Sequence, residues 1–149
     1  MSLSSHVQEV KTSLVSAGLA TGSVALLPAD LDLTTNLSVT FGDKSVGLGN
    51  LLRSSDCKTA PKISFSAEAG HESHAYTYTL FLVDPDAPTP DDPKFAYWRH
   101  WVVSGLEPSS THTSSSSSSS QSALTEYLGP GPKDERVSPQ APVYPARIG

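Results

Sequence analysis

Hydrophobic residues follow two different periods along this chain. Near the N-terminus they recur at steps of three and four residues, at Val7, Val10, Leu14 and Ala17. This spacing predicts an amphipathic helix from Ser5 to about Ala20. Ser5 and Gln8 have the spacing of a capping box at the start of that helix, and either Gly18 or Gly22 can close its C-terminal end.

Between Leu26 and Leu82 the period changes to two, which is typical of half-buried β-strands. Alternating runs occur at Leu37–Phe41, Ile63–Ala67 and Tyr76–Leu82. The segment Tyr78–Val83 is apolar on both faces near its end, so we expect a central strand that is covered on each side. His100–Leu106 has the pattern of another interior strand. The predicted fold is mainly β, with antiparallel sheets and an N-terminal α-helix.

The second half of the chain changes in character. Residues 107–122 contain seven consecutive serines, Ser114–Ser120. Serine side chains bury no apolar area to offset the entropy of ordering the chain, so a flexible loop is expected. Residues 133–149 combine repeated prolines with scattered apolar residues, and we expect a disordered tail that cannot supply a central strand. One domain is predicted over residues 1–132.

The charge and composition exclude several classes of function. The formal net charge is −5, with 10 basic and 15 acidic residues, which leaves no footprint for nucleic acid. Cys57 is the single cysteine, so an internal disulfide is impossible and a reducing, cytoplasmic location is favoured. No apolar run of 18 residues occurs, so transmembrane insertion is not expected.

The densest chemistry lies in Asp84–Trp101, "DPDAPTPDDPKFAYWRHW". Asp-Pro repeats are often solvated turns, and a single histidine between tryptophans is more often a core residue than a ligand contact. The four aspartates of this segment do not form the D-x-[DN]-x-[DN]-G pattern of a calcium loop, and the prolines between them restrict how the chain can wrap an ion.

Other catalytic and metal-binding patterns are weak or missing. The chain has no G-x-S-x-G elbow, so a Ser-His-Asp hydrolase is not expected and no catalytic residue is predicted. His71 and His74 are a weak echo of a metal motif that we interpret as a solvated loop. Cys57 beside Lys58 is expected to be an inert surface or edge thiol, with a reactive thiol as the less favoured alternative. No metal and no cofactor are predicted.

Two motifs together resemble a known family. "VDPDAPTPDDPKFAYWRHWVV" (Val83–Val103) resembles the signature of the phosphatidylethanolamine-binding protein family, and "LTEYLGPGP" (Leu124–Pro132) resembles its glycine- and proline-rich loop. The long N-terminal helix resembles that of the family's fungal branch, whose members are similar to carboxypeptidase Y inhibitor. The resemblance covers about residues 5–132, and it implies a non-catalytic module that binds phosphate-bearing lipid head groups or similar anions.

The resemblance also implies the residues of an anion site. The matching positions are Asp84, Pro88, His100 and Gly131, with Trp98 as a wall and Asp86 as support beside the turn. An anion needs donors, so Asp84 is expected to accept a hydrogen bond from His100, fix its tautomer and raise its pKa. The prolines pre-set φ and hold the turn rigid before any ligand arrives.

The chain departs from the family after the G-P-G-P loop. "KDERVSPQAPVYPARIG" stands where the family has a His-Arg-Tyr motif, further strands and a C-terminal helix. The C-terminal part of the fold is therefore expected to be missing, with an uncovered strand edge, and anion binding is expected to be weak. A foreign reading frame, a retained intron or an alternative exon is our hypothesis for this tail.

Three functional interpretations remain. The first is binding of a phospholipid head group or another small phosphate-bearing anion at Asp84 and His100. The second is inhibition of a serine carboxypeptidase through protein contacts, which the fungal-type N-terminus favours. The third is a truncated product without activity.

Overall fold

The computed structural model describes residues 3–20, 27, 30, 32–68, 76–108, 122–131 and 144–147. The chain divides into two units, residues 1–36 and 37–149. The first unit contains the helix α1 (Leu3–Ser16). The second contains the strands β1 (Leu37–Phe41), β2 (Lys44–Ser45), β3 (Lys62–Phe65), β4 (Tyr78–Asp84), β5 (Trp98–Leu106), β6 (Ser122–Thr125) and β7 (Tyr144–Arg147).

The predicted N-terminal helix is confirmed, but its start differs from the prediction. Because α1 begins at Leu3, Ser5 lies inside the helix and does not cap it. Val10 and Leu14 are buried, as the apolar stripe requires, whereas Val15 is exposed. The capping-box spacing at Ser5 was therefore misleading, since a serine three residues before a glutamine also occurs within helices.

Gly18 closes the C-terminal end of α1. It adopts a φ of 70°, a left-handed conformation that glycine reaches without a steric penalty. Its N–H donates to the Val15 carbonyl at 3.0 Å, and the Leu19 N–H donates to the Leu14 carbonyl at 2.9 Å. This pair of bonds is a Schellman motif. Gly22, the alternative terminator, lies outside the described residues.

The second unit consists of two antiparallel sheets. The smaller has the strand order β2-β1-β3, and the larger has the order β6-β5-β4-β7. Every pairing between these strands is antiparallel. The prediction of a mainly β, antiparallel fold with an N-terminal helix is confirmed.

A single apolar core joins the two sheets. The Phe65 ring of β3 meets the Tyr78 ring of β4 edge to face, with centroids 4.9 Å apart. The remaining buried members of the cluster are Val39, Phe41, Leu52, Cys57, Ile63, Leu80, Leu82, Trp101, Val103 and Leu106. Residues of β1 and β3 therefore supply the inner face of the smaller sheet, and residues of β4 and β5 supply that of the larger one.

β4 is a central strand, as predicted, but it is not covered on both faces. Leu80 and Leu82 are buried, whereas Phe81 between them is 36% exposed. Successive side chains of a strand point to opposite faces, so Phe81 faces away from the core. The apolar run in the sequence thus marks one buried face and one partly open face.

The edge strand β7 corrects the expectation of a tail without regular structure for residues 144–147. Tyr78–Phe81 of β4 pair with Tyr144–Arg147. An edge strand needs backbone partners on one side only, so a proline within it is tolerated. Beyond Phe81, towards Asp84, no β7 residue pairs with β4 within the described part of the chain.

Candidate functional site

His100 occupies a β-bulge between β4 and β5. Leu82 pairs with Trp101 and Val83 pairs with Arg99, so His100 is the extra residue of β5 at this register shift. A bulge bends its strand and re-aims the side chain of the extra residue. The imidazole is thereby brought to the end of β4, where the acidic turn begins.

Asp84 ends β4 and uses its two carboxylate oxygens differently. Oδ1 accepts the backbone N–H of Asp86 at 2.8 Å, which forms an Asx turn. Oδ2 lies 4.0 Å from Nε2 of His100, and the side chains are 32% and 14% exposed, respectively. The carboxylate therefore holds the turn and faces the imidazole at the same time.

The tautomer of His100 is set by Leu128 rather than by Asp84. Nδ1 of His100 lies 2.6 Å from the Leu128 carbonyl oxygen. A carbonyl only accepts, so Nδ1 must carry a proton. The 4.0 Å separation between Nε2 and Asp84 is too long for a direct hydrogen bond. The expected hydrogen bond from His100 to Asp84 is thus replaced by a close charge contact.

The electrostatics of this pair favour a charged imidazole. The Asp84 carboxylate raises the pKa of His100 and the Leu128 carbonyl adds to the rise, while partial burial opposes both. In return, His100 lowers the pKa of Asp84, and the Asp86 N–H lowers it further against the effect of burial. Burial and the nearby Asp84 charge raise the pKa of Asp86.

The arrangement leaves one charged donor for a ligand. Nδ1–H of His100 donates to the Leu128 carbonyl, so Nε2–H is the ring donor with which an anion could form a hydrogen bond. The carboxylates of Asp84 and Asp86 stand beside it and would attract an ammonium group while repelling a bare anion.

Of the other predicted residues, Trp98 pairs with the end of β4 and Pro88 lies in the acidic turn. Trp98 is the register partner of Asp84 and is 45% exposed, so it borders the site at its solvent edge. Pro88 follows a cis peptide bond from Ala87, whose carbonyl accepts the Phe95 N–H at 2.9 Å. The hydrogen bond between Phe95 and Ala87 joins the acidic turn to the segment leading into β5.

Gly131 is not the loop residue that contacts His100. Leu128 makes that contact, and Gly131 is an exposed residue further along the loop. A Cβ atom on Gly131 would meet nothing within 4 Å, whereas one on Gly129 would lie 2.6 Å from the Cys57 carbonyl oxygen. The close approach in this loop therefore requires glycine at 129.

Three residues of this region were missed by sequence reasoning. Tyr127, Leu128 and Gly129 all lie in the quoted motif "LTEYLGPGP", which singled out the loop but not its contacts. Leu128 acts through backbone atoms, which its side chain does not reveal. Cys57, expected at the surface or an edge, has 0% exposure because it lies within the apolar core.

The described residues lack two further kinds of feature. They contain no group of three or more His, Cys, Asp or Glu side chains that could hold a metal ion. No helix among them has the length and apolar character needed to cross a bilayer. His71, His74 and the serine run Ser114–Ser120 lie outside the described residues.

Residues 42–139 match the model of the phosphatidylethanolamine-binding protein family. The chain therefore belongs to that family, as its two motifs predicted. It is 31% identical over 97 residues to Protein MOTHER of FT and TFL1 homolog 2 from Oryza sativa subsp. japonica, which covers 65% of this chain and 49% of that protein. It is 38% identical over 77 residues to Protein FLOWERING LOCUS T from Arabidopsis thaliana, which covers 52% and 41%, respectively. The chain spans about half the length of the curated relatives it matches.

Solved structures share the fold. A phosphatidylethanolamine-binding protein from Plasmodium vivax aligns with a TM-score of 0.69 and 27% identity over 83% of this chain and 62% of that one. The corresponding protein from Plasmodium falciparum aligns with a TM-score of 0.66 and 27% identity, over 82% of this chain and 62% of that one. Carboxypeptidase Y inhibitor, in complex with its cognate proteinase, aligns with a TM-score of 0.69 over 84% of this chain and 64% of that one. Because the sequence identity is 22%, this similarity concerns the fold alone.

Replacing Gly129 by Ala should destabilise the protein. The new Cβ would clash with the Cys57 carbonyl oxygen, a backbone atom whose displacement costs free energy. We expect a loss of roughly 1–3 kcal/mol in the free energy of unfolding, measured by urea denaturation. Gly131→Ala is the matched control and should change stability little, since open space surrounds that position. Equal stability of the two variants would contradict the close approach.

Replacing Asp84 by Asn should lower the pKa of His100. Asparagine keeps an acceptor for the Asp86 N–H but removes the charge that favours the imidazolium, so an NMR titration of the ring should show a lower pKa. Asp91→Asn, at an exposed position of the same turn, is the control. A His100 pKa that is unchanged in Asp84→Asn would rule out the charge contact.

The same substitution should affect stability only in a defined pH range. Stabilisation through His100 is present below the ordinary imidazole pKa and is lost as the pH rises through the raised folded value. Stabilisation through Asp84 is present above the ordinary carboxyl pKa and is lost as the pH falls through the lowered one. The difference between wild type and Asp84→Asn should be largest between about pH 4 and 6.5 and should not exceed about 1 kcal/mol for this partly exposed pair.

Proposed function

We propose that this chain is a non-catalytic binding module for a small phosphate-bearing head group, received at Asp84 and His100. The observation that carries the proposal is the placement of His100 Nε2, which lies 4.0 Å from the Asp84 carboxylate, too far for a direct hydrogen bond. Its other nitrogen is already fixed by Leu128. The similar Plasmodium proteins carry phosphatidylethanolamine binding in their names, which supports the same class of ligand.

The charges around the site favour an ethanolamine-type head group over a bare phosphate. Asp84 and Asp86 repel a simple anion, but an ammonium group on the same ligand would pair with them. A single charged hydrogen bond contributes about 1.5–3 kcal/mol, so one imidazolium donor supports only weak binding.

Inhibition of a serine carboxypeptidase is the second candidate. The observation that favours it is α1, the helix expected from the likeness to the fungal inhibitor branch. The fold of the chain resembles that of carboxypeptidase Y inhibitor, although a shared fold alone does not imply a shared activity. A cytoplasmic location remains part of the first proposal, since the single cysteine suits a reducing compartment.

Titration with O-phosphorylethanolamine tests the first proposal. We expect the His100 ring signals to shift, with tighter binding than for inorganic phosphate and none for ethanolamine alone. Binding should weaken as the pH rises through the raised pKa of His100, because the neutral ring loses its charge. His100→Gln should weaken binding tenfold or more, by about 1.5 kcal/mol or above.

His6→Gln is the matched control for that titration, because His6 lies in α1, in the other unit of the chain. It should bind O-phosphorylethanolamine as the wild type does. A wild-type protein whose His100 signals do not move at saturating ligand would exclude the proposed site.

Deletion of residues 1–20 separates the two candidates. If the chain inhibits carboxypeptidase Y through its N-terminus, the deletion should abolish inhibition in a peptidase assay while leaving O-phosphorylethanolamine binding intact. Inhibition that survives the deletion would contradict the assignment to α1, and a full-length chain without inhibition would remove this candidate.

A further inference from the structure

Tyr127, Leu128 and Gly129 form a segment that we call the clamp. We propose that the clamp positions the His100 ring for ligand binding, and that the Tyr127 hydroxyl fixes the clamp to the core. The part concerning the ligand rests on the proposed function. The part concerning the ring stands on contacts within this chain and is tested without any ligand.

The clamp and His100 are joined by two hydrogen bonds. The Leu128 N–H donates to the His100 carbonyl at 2.8 Å, and Nδ1–H of His100 donates to the Leu128 carbonyl oxygen at 2.6 Å. The first bond aligns the two backbones, and the second fixes the ring. The orientation of Nε2 therefore depends on where the Leu128 carbonyl stands.

The position of that carbonyl is set by its two neighbours in the chain. On one side, the Tyr127 hydroxyl donates to the Cys57 carbonyl oxygen. On the other side, Gly129 passes so close that a Cβ there would lie 2.6 Å from the same oxygen. Leu128 is thus held between two contacts to one backbone group.

The Tyr127 ring ties the clamp to the core. Its centroid lies 5.9 Å from the Trp101 ring, at an interplanar angle of 90°, and 6.4 Å from the Phe41 ring. Burial raises the pKa of Tyr127 well above its usual range, with a further rise from Cys57. The hydroxyl therefore stays protonated and remains a donor at neutral pH.

The acceptor is itself fixed in place. Cys57 closes the 3₁₀ turn Ser54–Cys57 and is wholly buried. Asp56 in that turn forms an ion pair with Lys44 at 2.8 Å and accepts the Arg53 N–H at 3.3 Å. The turn is therefore linked to β2 by the ion pair and packed into the core through Cys57.

The exposure of Leu128 separates positioning from ordinary packing. Leu128 is 56% exposed, so it adds little to the core. What it contributes to the site is its peptide group, which both donates to and accepts from His100. Tyr127 accordingly acts on the site through Leu128 and is a positioning residue, since its hydroxyl is bonded to Cys57 rather than to His100.

Tyr127→Phe tests the clamp, because it removes the hydroxyl and leaves the ring packed. NMR of the His100 ring nitrogens, without ligand, should show a smaller population protonated at Nδ1 in the neutral state and a lower ring pKa, since the Leu128 carbonyl is no longer held. Binding of O-phosphorylethanolamine should weaken by roughly two- to tenfold.

Tyr78→Phe is the matched control. It removes a phenol hydroxyl from a residue of the same core, in β4, that the clamp does not include. Stability can change in this variant, but the His100 tautomer, its pKa and ligand binding should not. If Tyr78→Phe alters the ring as much as Tyr127→Phe does, or if neither variant alters it, the clamp is overturned.

The experiment separates failure of the clamp from failure of the proposed function. A shift in the His100 tautomer and ring pKa in Tyr127→Phe supports the clamp even if the wild type binds no O-phosphorylethanolamine. The lack of binding would then contradict only the proposed function. Gly129→Ala is a second disruption of the clamp and should alter the ring in the same direction. An unchanged ring in Tyr127→Phe overturns the proposal whatever the ligand does.

Discussion

The hydrogen bond from His100 Nδ1 to the Leu128 carbonyl is the constraint on which the candidate site depends. It determines which ring nitrogen is committed and which is left to face outward. It also joins the side chain of His100 in β5 to the loop that follows β6. The chemistry of the imidazole is therefore set by a backbone carbonyl far along the chain, and Asp84 adds charge rather than orientation.

Asp84 combines two tasks that a neutral residue would perform only in part. One oxygen accepts a backbone N–H and so shapes the turn, and the other faces the imidazole across 4.0 Å. Because the contact is longer than a hydrogen bond, the proton on Nε2 is not fully committed to the carboxylate. The ring can therefore carry a charge and still offer this proton to another acceptor.

Much of the fold follows from the period of the apolar residues. That period identified α1, β1, β4 and β5, because burial on one face imposes the spacing of the residues that are buried. Asp84 and His100 were also paired from sequence. The role of Leu128 was not, since any residue type provides a carbonyl, and the need for glycine at 129 arises from a contact with Cys57 distant in sequence. β7 was missed because edge pairing depends on backbone groups rather than on side-chain pattern.

The burial of Cys57 gives the molecule a built-in reporter. As the single cysteine, with its side chain wholly shielded, it should react with an alkylating reagent only when the surrounding turn opens. Its labelling kinetics would then count local opening events beneath the loop that holds His100. No dye or engineered residue would be needed, because the chain already carries its own solitary thiol in the informative place.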